Sequence, residues 1–271
     1  MRLDPVTRRL LERELKSAVP TRAVMLMYHG ISPAGAQPLS PYSTTASRFR
    51  EHLELLKRYE WHTACVRDLT SPEILPDRTV LISFDDGYAD NFEHGFQPLI
   101  TNGMKATWFV VTDAIGKHAE WVDGDRAQTK MLNIDQLGEM ARAGMEIGAH
   151  TCTHPNLTTI DDVAVNAEMA GSRAKLEDLL SAHIGSFAYP YGFCNQHTVE
   201  SAAAAGFDFA CSARPGWINP QTEPLLLRRV TVFASDTANT LARKLVFACN
   251  DVSWKAMSRY VTSRLIDRLQ S

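Results

Sequence analysis

Short apolar runs alternate along the chain with longer stretches in which apolar residues recur at helical spacing. Runs of this length, rich in β-branched residues, are typical of buried strands. They predict strands over residues 23–28, 79–84, 106–111, 145–149, 186–189, 207–211 and 225–232. The helical spacing predicts helices over 47–59, 133–143 and 161–182. Strands that alternate with helices indicate a parallel sheet, and this many repeated units favour an α/β barrel over an open sheet.

Polar side chains follow four of these runs, at the points where the predicted strands end. They are His29, the pair Asp85 and Asp86, the pair His150 and His154, and Tyr191 next to Pro190. In barrels and in open α/β sheets, functional sites lie at the carboxyl ends of the strands. We therefore expect these side chains to form one site on one rim of the barrel.

The adjacent carboxylates Asp85 and Asp86 precede Gly87. Neighbouring residues of a regular strand face opposite sides, but a glycine at the strand end lets the backbone turn. Both carboxylates can then reach one pocket, where one binds a metal and the other stays free as a base. Asp-Gly is also a common turn sequence, so the pair indicates a functional site only in combination with the polar residues at the other strand ends.

The two histidines at 150 and 154 are separated by Thr-Cys-Thr and followed by Pro155, which argues against a helix and for a loop. Two hydrogen-bonded loop histidines would be the simplest alternative. Two histidines and one aspartate match a catalytic three-ligand metal site, for which Zn²⁺ is the first expectation. Co²⁺, Ni²⁺, Mn²⁺ or iron would accept the same ligands. Cys152 is expected to be a small buried side chain rather than a ligand.

The composition describes an ordinary globular protein. Of the 271 residues, 45% are hydrophobic and 22% are charged. The net charge of -3 gives no reason to expect a nucleic-acid partner. The five cysteines form no CxxC pair, so a reducing compartment is expected rather than a disulfide framework.

The terminal segments bear on location. No secretory signal is visible at the N-terminus, and no stretch reaches the ~20 apolar residues of a membrane span. We therefore expect a cytoplasmic protein. Residues 251–271 carry apolar positions along one helical face, which predicts a helix that covers the barrel or a dimer partner. A peripheral helix at the inner face of the membrane is the alternative, and homo-oligomerisation stays open.

Three motifs resemble those of a known family. FDDG at 84–87, HTCTH at 150–154 and YPYG at 189–192 are similar to the first three motifs of the polysaccharide deacetylases, also called carbohydrate esterase family 4 or the NodB-homology group. The resemblance runs over residues 23–232. It implies a distorted (β/α) barrel of NodB-homology type with seven or eight strands. We expect that domain at 23–235, an N-terminal helical extension at 1–22 and C-terminal helices packed on the barrel at 236–271.

The resemblance also implies roles for the rim residues. A divalent metal would be bound by Asp86, His150 and His154, with Asp85 as general base. The main-chain N–H of Tyr191, next to Pro190, would contribute to the oxyanion hole. The implied reaction is the hydrolysis of an N-acetyl group on an amino sugar, with release of acetate.

Two departures from the usual family pattern matter. Most members carry an arginine where this chain has Ala188, and the late Leu-x-His motif is missing because residues 225–230 contain no histidine. Both departures resemble the branch of the poly-N-acetylglucosamine deacetylases, in which an N-terminal Tyr-His segment supplies the acid. This resemblance assigns His29 as general acid. Arg229 is our hypothesis for the charge that orients Asp85 in place of the missing arginine.

The function expected from the sequence is removal of N-acetyl groups from a polysaccharide, an oligosaccharide or a lipid-linked precursor in surface-polysaccharide synthesis. A deformylase-like or imidase-like hydrolase on the same scaffold is one alternative. A non-haem iron oxygenase also uses two histidines and a carboxylate, but the alternation of strands and helices argues against it. A non-catalytic carbohydrate-binding homologue would have no need of both Asp85 and Asp86. Trp121 and Trp217 are candidates for stacking on sugar rings or for packing.

Overall fold

A curled sheet of eight parallel strands forms the centre of the molecule. The structure is a computed structural model, and it describes residues 3–15, 22–70, 76, 78–122, 128–256 and 258. The sheet contains β1 (Ala23–Tyr28), β4 (His62–Ala64), β5 (Thr79–Phe84), β6 (Thr107–Val110), β7 (Glu146–Ala149), β8 (Ser186–Ala188), β9 (Phe209–Cys211) and β10 (Val230–Thr231). A separate parallel pair consists of β2 (Ile31–Ser32) and β3 (Thr44–Thr45). The expected distorted barrel of NodB-homology type is confirmed.

The strand order in the sheet is β10-β1-β5-β6-β7-β8-β9. β4 pairs with the first half of β5, at Thr79 to Leu81, whereas β6 pairs with its last two residues, Ser83 and Phe84. All residues of β1 and β5 are buried, because a parallel sheet is covered on both faces. That is why β1 reads as an apolar run and β5 as a mostly apolar run that contains Ser83, and why their bounds agree with the predicted ones.

The segment 227–231 spans the gap between β9 and β1. Leu227 forms a parallel bridge to Cys211 at the end of β9, and Val230 pairs with Leu26 of β1. The chain must cross from one edge to the other within these residues. For this reason the predicted strand at 225–232 is wrong in extent: Pro224–Leu226 forms a 3₁₀ turn, and only Val230–Thr231 is a strand.

Seven α-helices are found in the described residues: α1 (Pro5–Leu15), α2 (Ala46–Arg58), α3 (Gln97–Thr101), α4 (Ile134–Arg142), α5 (Asp162–Leu180), α6 (Gln196–Ala204) and α7 (Ala238–Phe247). The predicted starts of α4 and α5 coincide with their caps. Asn133 accepts from the backbone N–H of Gln136, and Asp161 accepts from that of Ala164. Such caps satisfy backbone donors that have no partner within the helix.

The two ends of the described chain meet on one side of the barrel. The backbone N–H of Asp4 donates to the side chain of Asn239, and Arg243 donates to Thr7, so α1 packs on α7. The division into three segments remains a prediction. The helix predicted over 251–271 falls largely on residues 257 and 259–271, which lie outside the described ones. None of the helices within the described ranges is both long enough and apolar enough to span a lipid bilayer.

Candidate metal centre

The register of the sheet places the polar strand ends on one rim. Tyr28, the last residue of β1, pairs with Phe84, the last of β5. Further along, Ala149 at the end of β7 pairs with both Val110 and Phe187. The loops that leave β1, β5, β7 and β8 therefore start side by side. They carry the residues that the sequence analysis expected at this rim.

Asp86, His150 and His154 form a buried cluster of candidate metal ligands. Each offers one ligand atom, and these atoms lie within 4.8 Å of one another. The Nε2 atoms of His150 and His154 are 3.5 Å and 3.4 Å from Oδ1 of Asp86. An aspartate oxygen and two imidazole nitrogens are the donor set of many catalytic zinc sites. Asp85 is not part of the cluster.

The hydrogen bond of His150 shows that its ring is oriented for metal binding. Its Nδ1 lies 2.7 Å from the carbonyl oxygen of Ala188. A carbonyl only accepts, so Nδ1 carries a proton, and Nε2 is the ring nitrogen that faces Asp86 and can offer a lone pair to a metal. A backbone carbonyl that fixes the tautomer is the usual outer contact of a metal-binding histidine. The residues therefore fit a divalent metal.

The backbone around the cluster adopts unusual conformations. Four of the eight non-glycine residues with positive φ in the described chain lie here: Asp86, Thr151, His154 and Tyr191, with φ between 60° and 74°. Residues other than glycine rarely adopt this region, and such strain concentrates at functional sites. The turns bring successive side chains to one point, which a regular strand end would not do.

Glu168 of α5 holds the loop between the two histidines, a contact that the sequence analysis missed. Its Oε2 accepts from the backbone N–H groups of Cys152 and Thr153 at 2.7 Å and 2.9 Å, and its Oε1 accepts from the Thr153 hydroxyl. One signal was available in the sequence. Glu168 shares the inward helix face with Val165 and Ser172, which are buried, and an acidic residue on such a face usually has a specific partner.

Asp85 lies beside a buried arginine. Nη1 of Arg229 donates to Oδ1 of Asp85 at 2.6 Å, and Nε of Arg229 donates to the carbonyl oxygen of Ser212. Burial alone would raise the pKa of Asp85, but the charges of Arg229, His150 and His29 outweigh it and hold that pKa below its usual value. Asp85 is therefore an ionised carboxylate next to the ligand cluster, where it can accept a proton.

His29 is one of the charges that lower the pKa values of Asp85 and Asp86, after the larger contributions of Arg229 to Asp85 and of His150 and His154 to Asp86. Its Nδ1 atom is buried and has no hydrogen-bond partner in the described part of the molecule. Its ring packs at 5.5 Å from that of Tyr42, which in turn packs on Phe233. His29 as a whole is half-buried, so part of the residue is open to a bound substrate.

Aromatic rings surround His154. Trp121 stacks on it at 5.0 Å, and Tyr191 meets it edge-on at 4.7 Å. Tyr191 belongs to the 3₁₀ turn Pro190–Gly192, in which Pro190 is buried while the Tyr191 ring is 52% exposed. An exposed aromatic ring beside His154, one of the candidate metal-binding residues, is well placed to contact a bound substrate.

Trp217 does not belong to this site. The guanidinium of Arg22 lies over its ring at 3.7 Å, and the next residue, Ile218, bridges to Ala23 at the beginning of β1. Trp217 therefore lies at the amino end of the strands, opposite to the metal cluster. Of the two tryptophans singled out from the sequence, only Trp121 lies at the site.

Comparison with known proteins agrees with the fold and the site. The sequence model of the polysaccharide deacetylase family matches residues 73–210, just over half of the chain. The chain belongs to the polysaccharide deacetylase family. The enzymes of this family hydrolyse an amide C–N bond of N-acetylated saccharides with the help of a metal.

Individual relatives extend the match. The chain is 28% identical to YxkH of Bacillus subtilis (strain 168), provisionally named a polysaccharide deacetylase, over 80% of this chain and 74% of that one. It is 22% identical to the poly-beta-1,6-N-acetyl-D-glucosamine N-deacetylase of Staphylococcus aureus (strain MRSA252), over 78% of each chain.

Two solved structures share the fold. IcaB from Ammonifex degensii superposes with a TM-score of 0.72 at 24% identity, and the match covers 83% of this chain and 97% of that one. The Streptococcus pyogenes deacetylase PplD, solved in complex with acetate, superposes with a TM-score of 0.71 at 23% identity, covering 84% and 99%. At these identities the likeness shows the fold, and roles at the site must be argued from this chain.

Proposed function

We propose that this chain removes N-acetyl groups from an amino-sugar saccharide, with Asp86, His150 and His154 holding Zn²⁺. One observation carries the proposal: a buried ligand cluster lies directly beside Asp85, a carboxylate outside that cluster whose partner is Arg229. A binding protein would need no second carboxylate held ionised at this point. The family membership and the staphylococcal relative that acts on poly-N-acetylglucosamine support the same substrate class.

A divalent cation at this cluster would lower the pKa of a bound water and polarise the carbonyl of the acetamide. Asp85 takes one proton from the attacking water, because Arg229 keeps it ionised. The backbone N–H of Tyr191 donates to the oxygen on which negative charge develops. The non-helical backbone of Tyr191, with φ of 60° in the turn Pro190–Gly192, supports this role as an oxyanion donor.

The leaving amine needs a proton before the C–N bond can break. His29 supplies it, because it directly follows β1 at the rim that carries the ligand cluster and is only half-buried. The protons balance: one passes from water to Asp85, and one passes from His29 to the amine. Sugar rings would lie on the exposed aromatic side chains near the site, Tyr191 and Phe193, whose rings are 6.1 Å apart.

The direct test is metal reconstitution followed by an acetate-release assay. The purified full chain is stripped with a chelator, reloaded with Zn²⁺, Co²⁺, Ni²⁺ or Mn²⁺, and offered N-acetylglucosamine oligomers of β-1,4 and β-1,6 linkage. We expect acetate and free amine in equal amounts, and loss of at least ~10²-fold in Asp85→Asn, as for removal of a general base. Release of formate from N-formyl compounds without any acetate would instead support the deformylase alternative.

A further inference from the structure

Asn91 uses both N–H donors and the carbonyl oxygen of its side-chain amide at one fully buried point. Nδ2 donates to the main-chain oxygen of His29 at 3.0 Å and to Oδ1 of Asp90 at 2.7 Å. Oδ1 accepts from Nε1 of Trp108 at 3.2 Å. An amide has two donors and a carbonyl oxygen, so this side chain has one orientation that satisfies all its partners.

One of these partners is fixed by packing. Trp108 lies in β6, is fully buried, and stacks on Phe84 with the two rings 4.7 Å apart and nearly parallel. Phe84 and Trp108 are also paired in the register of the sheet. The indole N–H therefore has a fixed position, and its hydrogen bond fixes the position of the Asn91 side chain. Asn91 in turn connects the core between the sheet and the helices to the peptide of His29.

The turn that follows His29 has little room to move. An added Cβ at Gly30 would lie 3.1 Å from Oγ of Ser43 and 3.3 Å from Oδ2 of Asp90. The carbonyl of Gly30 accepts from the backbone N–H of Thr44, and Asp90 accepts from the backbone N–H of Ile31. The backbone on this side of His29 is thus held at several points. Its ring nitrogen Nδ1, by contrast, has no partner in the described structure.

We propose that Asn91 is a positioning residue that holds the peptide of His29 so that its imidazole can protonate the leaving amine. The proposal rests on the function proposed above, in which His29 is the general acid. Without the Nδ2 donor, the half-buried carbonyl of His29 loses this partner and the turn relaxes toward other contacts. Small misplacements of a catalytic group cost large factors in rate. Substitution of Asn91 should therefore slow the departure of the amine, which needs the acid, and leave the rate of attack by water unchanged.

The leaving group separates these two steps. An amine leaves only when protonated, whereas 4-nitrophenolate leaves without a proton, so hydrolysis of 4-nitrophenyl acetate does not need the acid. The variants are Asn91→Leu and, should that variant not fold, Asn91→Asp, which keeps the acceptor for Trp108. Asn102→Leu is the matched control. It removes a similar bond, from Nδ2 to the carbonyl of Pro98 at 2.9 Å, at the end of α3.

We expect Asn91→Leu to lower kcat/KM for an N-acetylglucosamine oligomer by about 10- to 100-fold and that for 4-nitrophenyl acetate by less than about threefold. His29→Ala should show the same contrast, Asp85→Asn should lose both activities, and Asn102→Leu should lose neither. Equal losses on both substrates in Asn91→Leu would reduce its role to fold stability and overturn the proposal. An unchanged rate on the oligomer would also overturn it.

A measurement without substrate keeps the two proposals distinguishable. Zinc-loaded protein labelled with ¹⁵N-histidine gives imidazole resonances, and His29→Ala identifies the one from His29. We expect Asn91→Leu to shift that resonance and to leave those of His150 and His154 in place. An unmoved His29 resonance overturns the positioning role. A shifted resonance in a protein that releases no acetate from any saccharide would overturn the proposed function and leave the structural link intact.

Discussion

Nη1 of Arg229 lies 2.6 Å from Oδ1 of Asp85, although the two residues are 144 positions apart. Arg229 belongs to the segment 227–231 that spans the gap between β9 and β1, so the closure of the barrel sets its position. Both side chains are buried, and each compensates the charge of the other. The contact that keeps Asp85 ionised also holds the segment 227–231 in place where it closes the barrel.

Arg229→Met should therefore lower both stability and activity. Removal of one partner leaves an uncompensated buried carboxylate, which costs about 3–5 kcal/mol of unfolding free energy. We expect a loss of that size in urea denaturation, together with at least tenfold slower acetate release because Asp85 is no longer held as an ionised base. Full turnover in this variant would contradict the hypothesis that Arg229 orients Asp85.

The double variant Arg229→Met/Asp85→Asn is the control for this pair. With both charges gone, we expect the unfolding free energy to recover by at least about 1 kcal/mol relative to the sum of the two single losses. Acetate release should stay absent, because the base is missing. Strict additivity of the two losses would mean that the pair does not interact.

The parts of the site that lie at strand ends could be predicted because a parallel sheet leaves a strong pattern. β1 and β5 are buried on both faces, so they appear as largely apolar runs, and the first ionisable residue after each marks the rim. His29 and Asp85 were found in this way. The same reasoning failed at 225–232, where the apolar residues serve a crossing between strands rather than one strand.

The partners of Glu168 and Asn91 could not be assigned from the sequence, because they are set by the tertiary structure. Glu168 binds a loop 16 residues earlier through backbone N–H groups, which carry no side-chain signature. Asn91 reaches the peptide of His29, 62 residues away, again through a backbone atom. Catalytic side chains can be recognised in a sequence by their chemical type. Residues that hold the backbone in place can be recognised only from their contacts in the folded chain.

Glu168→Ala should weaken metal binding. The strained loop that carries His150 and His154 would lose three hydrogen bonds from one carboxylate. Loss of such outer contacts typically costs about 10- to 100-fold in metal affinity, and we expect Zn²⁺ affinity to fall by that factor in competition with a chromophoric chelator. Glu200→Ala, on the exposed face of α6, is the control and should bind Zn²⁺ as the wild type does. Unchanged affinity in Glu168→Ala would contradict this role.

Gly192→Ala should slow the reaction while metal binding is kept. Gly192 has φ of 71°, and an added Cβ would come within 3 Å of the backbone of Ala213. The turn Pro190–Gly192 must therefore shift, and it carries the Tyr191 N–H that we place at the oxyanion. Loss of one such donor costs about 10²–10³ in kcat, and steady-state kinetics on an N-acetylglucosamine oligomer would measure it.

Gly103→Ala provides the matched control for the glycine variant. Gly103 also has positive φ, at 65°, but nothing lies within 4 Å of its added Cβ. Its substitution should cost about 1 kcal/mol of stability through backbone strain and leave kcat unchanged. If both glycine variants lose kcat to the same extent, the effect reflects general destabilisation and the Tyr191 assignment loses its support.

His52 should make the protein less stable in mild acid. The residue is fully buried, with Nε2 3.0 Å from the carbonyl of Asp236 and Nδ1 3.0 Å from the hydroxyl of Tyr28. The carbonyl can only accept, so Nε2 carries the proton, Nδ1 accepts from Tyr28, and the ring is neutral. Burial lowers the pKa of His52 from 6.5 to about 3.

Between these two pKa values the unfolded chain binds a proton at His52 and the native protein does not. The stabilisation by the neutral ring is therefore complete above pH 6.5 and is lost as the pH falls toward 3. At pH 5 the loss from this residue should be about 2 kcal/mol. Urea denaturation of metal-free protein at pH 7 and pH 5 measures it. In His52→Gln the difference between the two pH values should shrink by that amount, and an undiminished difference would show that His52 is not the group responsible.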